Sequence, residues 1–299
     1  VCRNAVHVEG SQPTEAPVSS VIQPSLRYLQ FIRFSHTVFA LPFALGSMWV
    51  AADGWPGWKL FVLILICMVL ARTAAMTFNR LVDWEIDSRN PRTSKRQYLA
   101  SKPTAIAVLA ATSIAFIGTA FAVNTLCGML APVALAIVFF YSLTKRFSHF
   151  AQVFLGIALA VSPVGAWLAV TGAFAWEPIV LAAGVALWVA GFDMIYATQD
   201  YDFDLSEGLH SMVVLVGVKV AINLAVVFHL AAWICFLLFG VMLGLSAGYW
   251  IGLGLILIIL WWEHSLARKG NAEAINSAFF KANALVGAVF LLSCLAGTL

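Results

Sequence analysis

Two clusters of carboxylates interrupt an otherwise apolar chain. The first reads Asn79-Arg80-Leu81-Val82-Asp83-Trp84-Glu85-Ile86-Asp87, and the second runs from Asp193 to Asp200-Tyr201-Asp202-Phe203-Asp204. Carboxylates at or near membrane depth are costly, so they usually mark an ion, metal or substrate site. In each cluster aspartate recurs at i and i+4, which places the carboxylates on one helix face. Asn79, Asp83 and Asp87 form one stripe, with Glu85 on another face. Asp193, Tyr196, Asp200 and Asp204 form a second stripe if the helix continues that far, with Asp202 pointing elsewhere. Carboxylate and amide oxygens are hard ligands that suit Mg²⁺, which keeps several waters and binds substrate phosphates through few protein carboxylates. Two such faces opposed would hold divalent cations and the diphosphate they carry. The competing reading, solvated acids that merely pair with nearby arginines, accounts for one cluster but poorly for two in register on the same side.

Basic residues accompany the acids. Arg80 lies within the first cluster, Arg89, Arg92, Lys95 and Arg96 follow it, and Lys145 and Arg146 end a later apolar run. Such donors can hold the diphosphate oxygens that a cation leaves uncovered. Taken singly, each also fits the ordinary bias of Lys and Arg toward the cytoplasmic face of a membrane. Arg72 stands apart, inside an apolar run two turns before Asn79, where it needs a carboxylate, a backbone carbonyl or a ligand. Arg33 and His36 open the first apolar run and could touch an aromatic substrate. His264, in Trp261-Trp262-Glu263-His264, is read as a structural residue at the membrane interface.

The elements that must position these groups follow from composition. Of 299 residues, 62% are hydrophobic and 10% charged, where a soluble domain carries about 25% charge. The chain is therefore expected to be an all-α polytopic membrane protein, which excludes a soluble enzyme, and a net charge of +3 gives no reason to expect nucleic acid. About nine apolar spans, each near the ~20 residues that cross a bilayer, fall roughly at 34–52, 58–79, 103–123, 126–143, 150–171, 178–197, 220–240, 246–263 and 279–298. Lys and Arg concentrate in alternate connections, which puts the N-terminus and both acidic clusters on the cytoplasmic side. Residues 1–25 are expected to form a disordered cytoplasmic tail without a signal-peptide core, and 26–299 a single transmembrane domain. The scattered cysteines lack metal-ligand spacing and read as small apolar residues.

These residues resemble the UbiA superfamily of intramembrane prenyltransferases. Its first motif, N-x-x-x-D-x-x-x-D, is matched by Asn79, Asp83 and Asp87, followed by Asn90-Pro91-Arg92-Thr93. Its second, D-x-x-Y-A-x-x-D-x-x-x-D, is matched by Asp193, Tyr196, Ala197, Asp200 and Asp204, then Gly208 and Ser211. The family's Y-P-x-x-K-R appears as Tyr141-Ser142-Leu143-Thr144-Lys145-Arg146, without the proline, and Lys95 stands where a smaller residue is usual. The resemblance implies a UbiA-type bundle with a cytoplasmic-side active site in a bacterial inner membrane. It further implies Mg²⁺-dependent transfer of a polyprenyl group from its diphosphate to an aromatic acid acceptor. In that scheme Asn79, Asp83, Asp87, Asp200 and Asp204 serve the metal, and Arg80, Arg92, Arg96, Lys145 and Arg146 serve the diphosphate. Asp193 and Tyr196 lie nearer the reacting carbon, and Arg33 and His36 nearer the acceptor. Segments 31–44, 263–266 and 278–283 resemble a subgroup acting on 4-hydroxybenzoate in ubiquinone synthesis. Some of its members instead resemble enzymes that prenylate 1,4-dihydroxy-6-naphthoate in the futalosine route to menaquinone. A transporter using intramembrane carboxylates is the alternative of another class. It would place acids near the bilayer midplane in broken helices, whereas here they gather at one end beside Arg and Lys.

Overall fold

The computed structural model of the protein describes residues 39–89 and 100–299. Four of the expected site residues, Arg33, His36, Arg92 and Arg96, lie outside them, as do Lys95 and the expected N-terminal tail. The described chain is helical throughout. Its elements are α1 (Leu41–Ala51), α2 (Trp58–Val82), α3 (Trp84–Arg89), α4 (Lys102–Val123), α5 (Thr125–Thr144), α6 (Ala151–Thr171) and α7 (Glu177–Ala197). A 3₁₀ turn (Thr198–Asp200) leads to α8 (Tyr201–Ser206) and α9 (Met212–Val216). Then come α10 (Val218–Met242), α11 (Ala247–Ala267), α12 (Ala272–Ser277), a π-turn (Ala278–Ala282) and α13 (Asn283–Gly297). Among the described residues, eight helical segments are long and apolar enough to cross a membrane. The ninth expected span, 34–52, is represented by the shorter apolar α1, and the first part of that span lies outside the described residues.

Local sequence sets where the helices begin and end. Pro42, Pro103 and Pro178 sit in the first turns of α1, α4 and α7, where a missing N–H costs nothing and the fixed φ suits a helix. Asn124 ends α4 and starts α5: its side-chain oxygen accepts from the Cys127 N–H at 2.8 Å, while its Nδ2 donates to the Leu168 carbonyl of α6 at 2.9 Å. One residue thus caps a helix and ties a hairpin to its neighbour. Exposed Trp55, Trp58 and Trp176 lie at the starts of α2 and α7, and the acidic clusters at the opposite ends. Amphipathic indoles favour a membrane–water boundary, and the 25 residues of α2 span roughly 37 Å at 1.5 Å each. The acids accordingly belong to the opposite boundary and not to the midplane.

Between Glu177 at its start and Asp193 near its end, helix α7 is apolar all round and lies at the centre of the bundle, as such a sequence requires. Leu181, Val185, Trp188, Val189 and Met194 are fully buried. It packs most extensively on α10 and α6. Phe43 of α1 stacks between Trp188, Phe236 and Phe290 at centroid distances of 4.9, 5.6 and 4.6 Å, joining α1, α7, α10 and α13. The α6–α7 crossing depends on a missing side chain: a Cβ on Gly156 would lie 2.2 Å from the Ala186 carbonyl oxygen. Small residues at such crossings let membrane helices approach and gain van der Waals contact.

Gly156→Ala is expected to destabilise the protein by about 1–3 kcal/mol, the usual cost of overpacking, because backbone cannot move aside as a side chain can. Gly165→Ala on the same helix, where a Cβ meets open space, is the control. Thermal melting in detergent checks the pair, and equal midpoints would contradict the packing argument.

Candidate active site

The first acidic stripe survives a break in its helix. Asp83 ends α2 with φ −86° and ψ 11°, yet the i→i+4 bonds continue across it. Asp83 N–H donates to the Asn79 carbonyl at 2.9 Å, and Asp87 N–H donates to the Asp83 carbonyl at 2.7 Å. Asn79, Asp83 and Asp87 therefore keep one face. The second stripe runs off the end of α7 through the 3₁₀ turn into α8, so Asp193, Tyr196, Asp200 and Asp204 follow one continuous helical path. Asp204 is buried, whereas Glu85 and Asp202 are exposed.

Basic groups lock the stripes in place. Buried Arg80 donates from Nη1 to Asp87 Oδ2 at 2.6 Å. Arg146 Nη2 donates to the Val82 carbonyl at 2.6 Å and lies 3.7 Å from Asp83 Oδ1. Arg89 pairs with Glu207 at 2.8 Å, which joins the segment after the first stripe to the segment after the second. Asn79 Nδ2 donates to Asp83 Oδ2 at 3.2 Å. Of the expected diphosphate donors, Arg80 and Arg146 thus already serve the first stripe.

Lys145 is where the two stripes meet. It caps the end of α5, and its carbonyl accepts from the His210 N–H at 2.9 Å, which anchors the loop after α8. Its side chain reaches solvent within the cleft, but the protein around it is dense enough to disfavour the charge. That loss of hydration pushes the ammonium pKa down. The fields of Asp204, Asp193, Asp83 and Asp200 outweigh it and leave the pKa above the ordinary lysine value. Lys145 therefore stays cationic through the neutral range. Asp83 feels the opposite balance: burial raises its carboxyl above the ordinary carboxylate range, against the pull of Lys145, Arg80 and Arg146, with Asp87 adding to the rise. Burial and a like-charged neighbour both favour a proton or a cation on this group.

Among the described residues, no three acids or histidines converge closely enough to ligate one ion by themselves. Two carboxylate stripes of hard oxygen donors, each supplying a few ligands, instead fit Mg²⁺ whose shell is completed by water and substrate phosphate oxygens. Asn79, Asp83 and Asp87 on one side, and Asp200 and Asp204 on the other, are the donors that would hold it.

An apolar cavity of about 440 Å³ lies among α2, α4, α5 and α6. Most of its lining is aliphatic or aromatic, including Ile64, Met68, Phe116 and Leu135. Val133, Ile157 and Phe174 also line it and are exposed on the outside of the bundle, so the cavity opens sideways toward lipid. Three polar side chains interrupt it, Arg72, Tyr141 and Ser162, the last donating to the Leu159 carbonyl at 2.8 Å. Among the described residues the Arg72 Nε is buried without a hydrogen-bond partner, and Tyr141 O–H points toward the Met76 sulfur at 4.0 Å. Arg72 was open to several readings from sequence alone; its placement facing an apolar cavity is information only the fold supplies. Tyr196 lies against Phe279, with centroids 4.3 Å apart. His264, expected to be structural, is buried and bonded to His229. His229 was not singled out from the sequence, and Asn283 entered only as part of the segment 278–283.

Residues 40–285 match the UbiA prenyltransferase family. The chain is 31% identical over 288 residues to a 4-hydroxybenzoate octaprenyltransferase of Acidovorax ebreus, covering 91% of this chain and 96% of that protein. A protein of the same name from Paraburkholderia phytofirmans is 29% identical over 273 residues, covering 88% and 94%. Among solved structures, a UbiA homolog from Aeropyrum pernix K1 superposes with a TM-score of 0.77 at 31% identity, covering 85% of this chain and 96% of that one. A UbiA homolog from Archaeoglobus fulgidus bound to GPP and Mg²⁺ has the same fold, with a TM-score of 0.71 at 22% identity, covering 91% and 99%.

Lys145→Met removes a cation that faces both stripes. Its expected signature is a lower melting temperature without Mg²⁺ and a larger gain on adding Mg²⁺ than wild type shows, because a bound cation stabilises the folded state by mass action. Melting curves in detergent with and without MgCl₂ measure this, and an unchanged Mg²⁺ response would remove Lys145 from the site.

Proposed function

We infer the reaction from the premise that this chain belongs to the UbiA prenyltransferase family: it transfers a polyprenyl group from polyprenyl diphosphate to 4-hydroxybenzoate in quinone synthesis. The observation that carries this reading is a charged cleft at one end of an apolar, laterally open cavity. The cleft suits a diphosphate head, and the cavity suits an isoprenoid tail.

In the proposed mechanism the diphosphate sits between the stripes. Bound Mg²⁺ would supply positive charge against the departing diphosphate. Lys145 adds a fixed cation at the same place, and Arg146 lies beside it. Arg80 holds the Asp87 carboxylate, so that it is oriented before substrate arrives. Ionisation of the allylic C–O bond sends its electron pair to the diphosphate. An electron-rich aromatic carbon then supplies a pair to the allylic carbon and loses its proton. The apolar walls keep water from capturing the cation. Arg72, charged and unsatisfied at Nε, is placed to anchor an anionic acceptor from within the cavity. Arg33 and His36 remain proposed acceptor contacts from the segment preceding α1. We place the protein in a bacterial inner membrane with a cytoplasmic N-terminus, an orientation that the gathering of Lys and Arg at the acidic end supports.

The second reading keeps the same site and offers it 1,4-dihydroxy-6-naphthoate, which is also flat, anionic and phenolic. Membranes carrying the protein, supplied with geranyl diphosphate and Mg²⁺ and with each acceptor separately, decide between them, with an EDTA control. Product from 4-hydroxybenzoate supports the first reading, and product only from the naphthoate supports the second. Asp83→Asn and Asp200→Asn are each expected to abolish transfer without loss of membrane insertion. Near-normal turnover in either would sink the diphosphate–metal assignment. Arg72→Met is expected to raise the acceptor KM by at least about tenfold, the scale of a lost charge-assisted hydrogen bond, with the KM for geranyl diphosphate little changed.

A further inference from the structure

Four polar residues are buried together behind the site wall, on helices that carry none of the expected ligands. Glu263 of α11, His229 of α10 and Asn283 of α13 are at most 1% exposed, and His264 of α11 is 7% exposed. Asn283 spends both amide protons here. Its Nδ2 donates to Glu263 Oε1 at 3.0 Å and to the Phe279 carbonyl, inside the π-turn, at 3.0 Å. His229 Nε2 faces the Trp188 carbonyl of α7 at 3.2 Å, and a carbonyl can only accept, so that nitrogen carries the proton. The Nδ1 of a neutral His229 must then accept from His264 Nε2–H at 3.0 Å, with Glu263 Oε2 3.6 Å away. These bonds tie the four residues together across three helices, while Glu263 Oε2, His264 Nδ1 and Asn283 Oδ1 are buried without a hydrogen-bond partner among the described residues.

The network grips the site wall from two directions. On α7, the His229 ring lies where any side chain at 191 would be: a Cβ on Gly191 would sit 2.3 Å from its Cδ2. Gly191 precedes Asp193 by two residues and Tyr196 by five. At the π-turn, Asn283 takes up the carbonyl of Phe279, whose ring packs on Tyr196 at 4.3 Å and on Phe192 at 5.4 Å. Single π-turns recur at functional sites, where they re-aim side chains.

We propose that Glu263, His264, His229 and Asn283 form a positioning network that holds the Phe279–Tyr196 wall against the reacting centre and keeps water from the allylic cation. This rests on the prenyl-transfer reading above. When the C–O bond of geranyl diphosphate breaks, its electron pair leaves with the diphosphate. In productive turnover the aromatic carbon supplies a new pair to C1 and loses a proton. In the leak a water oxygen supplies it, loses a proton to solvent and yields geraniol. A displaced wall raises the leak relative to transfer. A smaller folded fraction lowers both alike.

The test compares Asn283→Leu, Glu263→Gln and Phe279→Leu in the full-length protein in membranes, with geranyl diphosphate, Mg²⁺ and the acceptor wild type uses. Asn283→Leu is expected to raise the ratio of geraniol to prenylated product on the order of tenfold, a coupling typical of residues in one contact network. Glu263→Gln keeps an acceptor for Asn283 and should stay near the wild-type ratio. Phe279→Leu leaves the four polar residues in place, so it tests the wall even if Asn283→Leu does not fold, and the two effects should be non-additive. Hydrogen exchange gives a readout that needs no turnover: Asn283→Leu should expose 278–283 and 193–197 together while the rest of α7 stays protected. Unchanged ratios in Asn283→Leu and Phe279→Leu would overturn the proposal, as would unchanged exchange at 193–197. A wild type without turnover would instead count against the prenyl-transfer reading, with the exchange result still deciding the network.

Discussion

Concentrating negative charge at one end of a greasy bundle is the constraint that organises this molecule. Asp83, Asp87, Asp193, Asp200 and Asp204 cannot be dispersed, because their helix stripes aim them into one cleft. Each must be hydrated, paired or neutralised. The structure answers with Arg80 on Asp87, Arg146 beside Asp83, and Lys145 in the field of four carboxylates. Removing a cation leaves repulsion, and removing an acid leaves an uncompensated cation. The site is therefore held in mutual tension before any substrate is present, and on the proposed reading a ligand carrying both signs of charge relieves it.

The rest of the fold keeps this cleft in register with an apolar space. Helix α7 runs from the tryptophan-lined end to the carboxylates through the most buried part of the bundle, so its packing on α6 and α10 fixes where Asp193 and Tyr196 come to lie. Gly156 lets the backbone of α6 approach that of this helix, and Gly191 makes room on it for the His229 ring. They hold α7 by shape, where lipid offers little hydrophobic force to hold helices together.

Much of this was legible in the sequence, because the signal was periodic. The i, i+4 spacing of Asn79, Asp83 and Asp87 predicted a shared face, and the face persists through the break at Asp83 because the hydrogen-bond ladder does. The spans were legible because crossing a bilayer imposes a length. The central place of Lys145 was not, since it arises from three segments meeting, and chain order shows only that a basic pair ends a helix. His264 was read as structural, but its partner on another helix could not be read from its own segment. The His229–Asn283 network was invisible for the same reason: its members come from three separate helices, and only packing shows that they meet. The role of Arg72 depended on finding that the space beside it is hollow.

The sideways mouth of the cavity has a further consequence for what the protein can measure. A closed pocket acts as a ruler, because a tail one isoprene too long collides with its floor. A cavity whose walls at Val133, Ile157 and Phe174 give onto lipid has no floor, so the tail simply continues into the bilayer. On the proposed reading the protein inspects only the head of its donor and is indifferent to the length behind it. The length of the finished quinone tail is then decided upstream, by whichever chain-elongating reaction fills the membrane with diphosphate.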